Sequence, residues 1–312
     1  MHRLWARILI SVSAGLLAAL VCYFFQTHWF DRDAADLTWA LLGAREWLAG
    51  NNPYNLPSDP SLYPYDQGVP LFYPFPAVLA ILPLVPLPDT LAATLWIGLT
   101  VGLMTYALLG EGAWRLPILA SLPLWAAVAQ VQWSPLLMVI WAWPATLPLL
   151  LLKPNIGLAL STKKLSPKGI IGCLVVLALS LILLPTWPAD WLQSARASAR
   201  HLIPILYGPG PLLLLALMRW RQPEARLLLI LACMPQRMGF YDQLPLLLVA
   251  RNLRQQLILA LASWLSMIAL LLIGPSWNWP SIWHPQSVDG SAGWVILFTY
   301  GTALWIVLMK DK

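Results

Sequence analysis

Six runs of this chain, at 8–25, 91–109, 134–152, 169–184, 256–274 and 292–309, contain no charged residue. Each approaches or reaches the roughly 17–25 residues that cross the hydrocarbon core of a bilayer. In that core the backbone polar groups must be satisfied within the chain, which leaves helices for runs of this composition. The whole sequence agrees, with 59% apolar and 10% charged residues, against about 25% charged in soluble domains. The only sizeable polar stretch, at 31–73, is too short for a separate soluble domain. We therefore expect one polytopic, all-α integral membrane domain over 1–312.

Arg3 and Arg7 precede the first run and no small-x-small cleavage site follows it, which reads as an anchor that stays on the chain. The net charge of +6 is informative by location. Arg3, Arg7, Lys163, Lys164, Lys168, Arg219, Arg221, Arg226, Arg251, Arg254, Lys310 and Lys312 flank span ends on one side, cytoplasmic by the positive-inside rule. Arg32, Arg45, Arg196, Arg200 and Arg237 fall on the other. The basic total thus reflects topology and gives no reason to expect a nucleic-acid partner. Following the runs predicts about nine to eleven spans. Extracytoplasmic segments are expected at 27–72, 186–204 and 275–291, and a cytoplasmic loop at 153–168. The 28 prolines predict helices broken around an interior site. The stretch 73–88 is too interrupted for a simple span, and 226–234 and 241–250 are half-length runs. No internal repeat is visible, which weighs against a transporter built from inverted halves. Cys22, Cys173 and Cys233 lie in apolar runs, with neither disulfide nor metal spacing.

The first external loop holds Asp31, Asp33, Asp36, Glu46, Asp59 and Asp66. Within it Leu37, Ala40, Leu41, Ala44 and Leu48 fall at helical spacing. This stripe suits either the membrane surface or packing on the spans. Asp33 with Asp36 three residues on can form a capping box, so Asp36 reads either as a helix-start acid or as a functional one. Gly50 suits the helix end. Pro53-Tyr54, Tyr63-Pro64-Tyr65 and Phe72-Tyr73-Pro74-Phe75-Pro76 then form an aromatic, proline-rich wall. It suits stacking on sugar rings, holding isoprenyl chains, or plain interface packing.

Asp36-Leu37-Thr38-Trp39, then Leu48-x-Gly50-x-x-Pro53-Tyr54, then Tyr73-Pro74 with an apolar run to Trp96, occur in that order. Together they resemble the polyprenol-phosphate-mannose-dependent mannosyltransferases of glycosyltransferase family 87, which have the GT-C fold. Further along, Ala129-Gln130-Val131-Gln132 is similar to the family's Gly-Gln-x-Asn, with Ala129 for Gly and Gln132 for Asn. Lys153-Pro154-Asn155 resembles its Lys-Pro element, and Pro235 with Tyr241-Asp242 its late Ser-Pro…Tyr-Asp element. The resemblance covers roughly 1–255. It implies a GT-C bundle with an amphipathic juxtamembrane helix and a site at the extracytoplasmic face of the cell membrane. There a polyprenyl-phosphate-linked sugar, mannose in the family, would pass to a lipid or glycan acceptor with inversion. It places the general base on Asp36, with Asp31 and Asp33 in reserve.

A polyprenyl phosphate leaving group needs cations nearby. Arg237, Arg196, Arg200 and His201 are the external candidates, each also readable as ordinary interfacial charge. Tyr54, Tyr73, Gln130, Lys153, Tyr241 and Asp242 are candidates for substrate contact. For Lys153 the simpler reading is the cytoplasmic end of a span, and for Asp242 a helix cap. No metal site is read from the histidines; use of a divalent cation by some GT-C enzymes leaves that cofactor open. Two other classes also fit: a transporter or flippase of lipid or solute, with the buried Lys and Asp lining its path, and an inactive GT-C-like scaffold subunit.

Overall fold

A computed structural model describes residues 2–30, 33–55, 71–197, 201–275 and 290–309. Among these residues every regular element is helical, with one isolated bridge between Leu202 and Gln236. Helix α1 (His2–Phe24) continues through a π turn, Phe25–Phe30, and a short 3-10 turn, Ala35–Leu37, leads into α2 (Thr38–Leu48). Then come α3 (Phe75–Ile81), α4 (Asp89–Leu109), α5 (Leu122–Ala129), α6 (Ser134–Leu137), α7 (Val139–Ala142) and α8 (Pro154–Leu160). The second half holds α9 (Pro167–Leu183), α10 (Trp187–Ala197), α11 (Pro223–Cys233), α12 (Leu253–Ile273), α13 (Ala292–Trp294) and α14 (Gly301–Leu308).

Among the described residues, three helices are long and apolar enough to cross a membrane: Leu4–Trp29, Asp89–Leu109 and Leu253–Ile273. The pair α9 and α10 makes a fourth candidate, bent by 94° at its break. Among the described residues, shorter apolar helices at Phe75–Leu84, Gly210–Arg219 and Ala292–Leu308 accompany these, beside the nine to eleven spans expected from the sequence. Several apolar runs are divided. Pro117, Pro148 and Pro245 sit inside 3-10 stretches at Ala113–Ala120, Pro144–Leu152 and Tyr241–Val249. Proline lacks the N–H that an α-helix needs and clashes with the preceding turn, so these runs wind more tightly or break.

The first and longest contact is between α1 and α4, which run antiparallel. Arg7 Nε, near the start of α1, donates to the Tyr106 carbonyl near the end of α4 at 2.7 Å. A β-carbon on Gly15 would lie 2.5 Å from the Gly98 carbonyl oxygen and 3.3 Å from Gly102 Cα. Only glycine permits that approach. Two ends of the bundle follow. At one, Glu111 pairs with Arg115 and Lys163, Arg226 Nη2 donates to the Thr162 carbonyl at 2.8 Å, and Arg251 donates to Gln222 at 2.6 Å. Arg7 reaches the same end beside Gly110. At the other, Arg45 pairs with Asp89, Asn52 Nδ2 donates to Asp190 Oδ2 at 2.9 Å, and Trp191 Nε1 donates to the Phe72 carbonyl at 2.9 Å. Arg7, Lys163, Arg226 and Arg251 thus gather at one end, as their grouping along the sequence predicted.

In α2 the residues Leu37, Ala40, Leu41 and Ala44 are buried, so the stripe packs inward, and Leu48 alone is exposed at 60%. Gly50 follows the helix at φ +86°, the left-handed conformation of a C-terminal stop. The expected capping box does not form. Leu37 occupies the N-cap with no side-chain bond, and Asp33 stands exposed in a turn at φ 54°. A second correction concerns Lys153. It does not sit with Lys163 in a cytoplasmic loop, because α8 separates them and carries the chain from the interior to the basic end.

Candidate active site

Asp36 lies in the 3-10 turn between α1 and α2, and its backbone N–H donates to the Gln130 carbonyl at 3.3 Å. Its Oδ2 accepts from Gln132 Nε2. Gln132 is buried just past the end of α5, and its Oε1 accepts from Lys153 Nζ at 3.0 Å. The same ammonium donates to Asp242 Oδ1 at 2.6 Å, and Asp242 Oδ2 accepts from the Arg237 backbone N–H at 3.0 Å. An amide between a carboxylate and an ammonium satisfies both only with its NH2 toward the first and its oxygen toward the second, as here. The result is one hydrogen-bonded chain, Asp36–Gln132–Lys153–Asp242, with charges in the order minus, plus, minus.

Local structure explains how these groups meet. Lys153 is the N-cap of α8, extended at φ −151°, and Pro154 starts the helix behind it. Two residues on, Asn155 Nδ2 donates to the Pro235 carbonyl at 2.9 Å. Lys153-Pro154-Asn155 therefore clasps the segment of Pro235 and Tyr241-Asp242 at both ends. Below it Tyr300 OH and Gln243 Nε2 both donate to Gln236 Oε1, at 2.8 and 3.2 Å. Non-glycine residues with positive φ mark the same places. Ala35 at 44° precedes Asp36, Val131 at 50° precedes Gln132, and Phe240 at 73° precedes Tyr241. Such residues cost about 1–3 kcal/mol each and cluster where geometry is over-determined, and a β-branched residue there is a true outlier.

The Lys153 and Asp242 side chains are 12% and 1% exposed. Charges this deep in an apolar protein are expensive unless paired, and mark functional sites by default. Lys153 Nζ also stands 5.3 Å from the centre of the Tyr241 ring. Burial first, then the carboxylates of Asp36 and Asp242, hold the Tyr241 phenol protonated well above its ordinary range, against the opposing Arg237 charge. An aromatic wall flanks the chain. Tyr73 meets Trp133 at 5.6 Å, Trp133 meets Trp96 at 4.8 Å, and Phe72 meets Tyr73 at 4.9 Å and Trp39 at 5.0 Å. Tyr54 OH donates to the Tyr73 carbonyl at 2.9 Å. Burial, and then Asp190, raise the Tyr54 phenol as well. Among the described residues, the buried Thr38 Oγ1, Trp133 Nε1 and Ser134 Oγ, close in sequence to Asp36 and Gln132, have no hydrogen-bond partner.

Of the candidates read from the sequence, Asp36, Lys153, Tyr241 and Asp242 come together, with Arg237 joined through its backbone. Tyr73 and Tyr54 form the wall beside them. His201 touches this wall at 6.4 Å from Phe72. Gln130 meets Asp36 through its carbonyl, while the side chain that reaches the acid belongs to Gln132, to which the sequence reading gave no role. Its signal was its place at the end of Ala129-Gln130-Val131-Gln132, where the resembling family has Asn. Arg196 is exposed near the end of α10, and Asp33 is exposed away from the chain of bonds. Asp31 and Arg200 lie outside the described residues. Among the described residues no group of three or more His, Cys, Asp or Glu is placed to hold a metal. The Lys153 ammonium stands between the amide of Gln132 and Asp242. The chain matches no protein-family model, no curated protein and no solved structure.

Proposed function

We propose that this protein is a membrane glycosyltransferase of the GT-C type, related to family 87, that moves a sugar from a polyprenyl-phosphate donor to a lipid or glycan hydroxyl. The observation that carries this reading is the bonded chain Asp36–Gln132–Lys153–Asp242. It unites residues of every main motif that resembles that family, though they lie up to 206 positions apart in sequence. The positive-inside rule puts the end with Arg7, Lys163, Arg226 and Arg251 in the cytoplasm. In this reading the site belongs to the extracytoplasmic half of the bundle, the half with α2 and α10, toward which a lipid-linked head group would present itself.

In the proposed step the Asp36 carboxylate takes the proton of the acceptor hydroxyl as its oxygen bonds to the anomeric carbon. The bond from that carbon to the phosphate oxygen breaks, its electron pair leaves with the polyprenyl phosphate, and configuration inverts. Gln132 donates to Asp36 Oδ2 and so helps to fix the rotamer of the proposed base. The cations Lys153 and Arg237 stabilise the charge that develops on the phosphate. Tyr73, Trp133 and Tyr54 are buried and pack as a rigid wall beside the proposed site. Mannose is the proposed sugar.

Transfer of radiolabel from polyprenyl-phosphate-mannose to a glycolipid extract, with the protein in nanodiscs, tests the reading. Asp36→Asn should lower the rate by at least the 10²–10⁴-fold typical of a lost general base, roughly to background. Equal transfer by both proteins removes Asp36 from this role. Absence of transfer from any polyprenyl-phosphate sugar by the wild type overturns the activity itself.

A further inference from the structure

On the lipid-facing side of the α1–α4 crossing lies an open apolar groove of about 550 Å3. Its floor is small: Ser11, Gly15 and Ala19 from α1, and Thr94, Gly98 and Gly102 from α4. It runs from Ile8 to Ala19, eleven helical steps or about 16 Å. That is close to half of a hydrocarbon core about 30 Å thick. The groove therefore starts at the basic end of the bundle and stops near the midplane, the depth of one leaflet. Leu16 and Leu99 stand exposed on its rim.

The shape favours a thin occupant. A helix about 10 Å across and 16 Å long displaces ~1,250 Å3, more than twice the groove. The glycines that would admit a partner helix are already used, since Gly15 meets Gly98 and Gly102 within the crossing itself. Ser11 turns its hydroxyl back to the Arg7 carbonyl at 2.7 Å and offers no polar group to the groove.

The charge at its mouth favours an anion. The Arg7 guanidinium carbon lies 3.9 Å from the centre of the Tyr106 ring, which lines the groove's end, and Nε is held by the Tyr106 carbonyl. Among the described residues no carboxylate pairs with Arg7. The nearest acid along the chain from Tyr106, Glu111, is taken by Arg115 and Lys163. The guanidinium fork thus keeps donors for a phosphate, held in place by an aromatic face. Basic pockets between membrane helices on the cytoplasmic side select anionic head groups in this way.

We infer that the α1–α4 groove holds one acyl chain of an anionic phospholipid from the leaflet at the basic end, with the lipid phosphate on Arg7. This is a binding site separate from the Asp36 chain and does not depend on the reaction proposed for it. Native mass spectrometry of protein released from nanodiscs of equal phosphatidylglycerol and phosphatidylcholine tests it. We expect one retained phosphatidylglycerol per chain, favoured about fivefold over phosphatidylcholine. Arg7→Gln should abolish the preference while leaving lipid bound, and Val12→Trp, which fills the groove, should expel either lipid. Equal retention of both lipids by the wild type, or retention unchanged by Val12→Trp, would overturn the inference. Efficient oxidative cross-linking between Val12→Cys chains in the bilayer would overturn it too, by placing a second copy of the chain in the groove.

Discussion

Lys153 and Asp242 make the sharpest test at the scale of single residues. Removing one partner of a buried pair leaves an uncompensated charge, at a cost of about 3–5 kcal/mol, whereas replacing both by apolar groups is often close to neutral. Lys153→Met should therefore lower the melting temperature in nanodiscs markedly. Lys153→Met with Asp242→Leu should recover most of it while leaving transfer abolished. Recovery of transfer in the double variant would reduce the pair to a structural tie. Asp36, Lys153 and Asp242 stood out in the sequence as charged residues next to apolar runs, but the simpler readings of Lys153 as a span end and of Asp242 as a cap gave no hint that the two would pair. Gln132 did not stand out, because an amide has no charge to betray it, and its value depends on neighbours 96 and 21 positions away. The reading of Asp36 as a cap failed for a local reason. The positive φ of Asp33 and Ala35 turns the chain before the helix starts, Leu37 takes the N-cap of α2, and the Asp36 carboxylate accepts from Gln132.

Among the elements, the 3-10 stretch Tyr241–Val249 places Asp242, and it is buried along its whole length. Pro245 denies it an α-helical ladder, so its last carbonyls need other donors. Arg115 supplies them. Its Nη1 lies 3.4, 3.3 and 3.0 Å from the carbonyl oxygens of Leu247, Leu248 and Ala250, and 3.3 Å from Gln256 Oε1. Glu111 holds the other side of the guanidinium at 2.8 Å. Arg115→Met strands these carbonyls and should cost about 3–5 kcal/mol, the range for breaking a buried charge pair. Differential scanning fluorimetry checks this, since the chain's 19 tryptophans report on packing. A melting temperature within a degree of wild type would refute the strut. The long helices could be read from apolar length alone, because α4 and α12 need no partner to be recognised. The tightly wound pieces could not. The same leucines and prolines suit a broken span or a 3-10 strut, and tertiary contacts such as those of Arg115 decide between them.

For the whole molecule, the gathering of charge at two ends was legible, since basic residues beside apolar runs report their side whatever the internal windings. Glu111 shows how the basic end is held. Burial alone would raise its pKa, but Lys163 and Arg115 together overcome this and hold it below its ordinary 4.5. A depressed carboxyl stabilises the fold fully above its unfolded pKa and loses that contribution as pH falls through the folded value. Thermal stability should therefore fall as the pH drops from about 5 to about 3, and Glu111→Gln should start lower and fall less steeply. Matching slopes for the two proteins would show that Glu111 does not set this acid limb. Composition alone does not divide the apolar runs into spans, because such a run looks the same whether it crosses lipid or packs inside the bundle.

The right-angle turn between α9 and α10 has a consequence for where this protein can work. With 17 residues α9 is about 25 Å long, shorter than a typical hydrocarbon core and than the roughly 31 Å of the 21-residue α4. Because α10 then lies across the end of the bundle and holds Asn52 through Asp190, it acts as a float whose draught is set by the length of α9. Thickening the bilayer with longer acyl chains would sink the aromatic wall below the level of the lipid head groups. If the proposed transfer is its activity, transfer should slow steadily across nanodiscs of increasing chain length while melting temperature changes little, with membrane thickness as its governor.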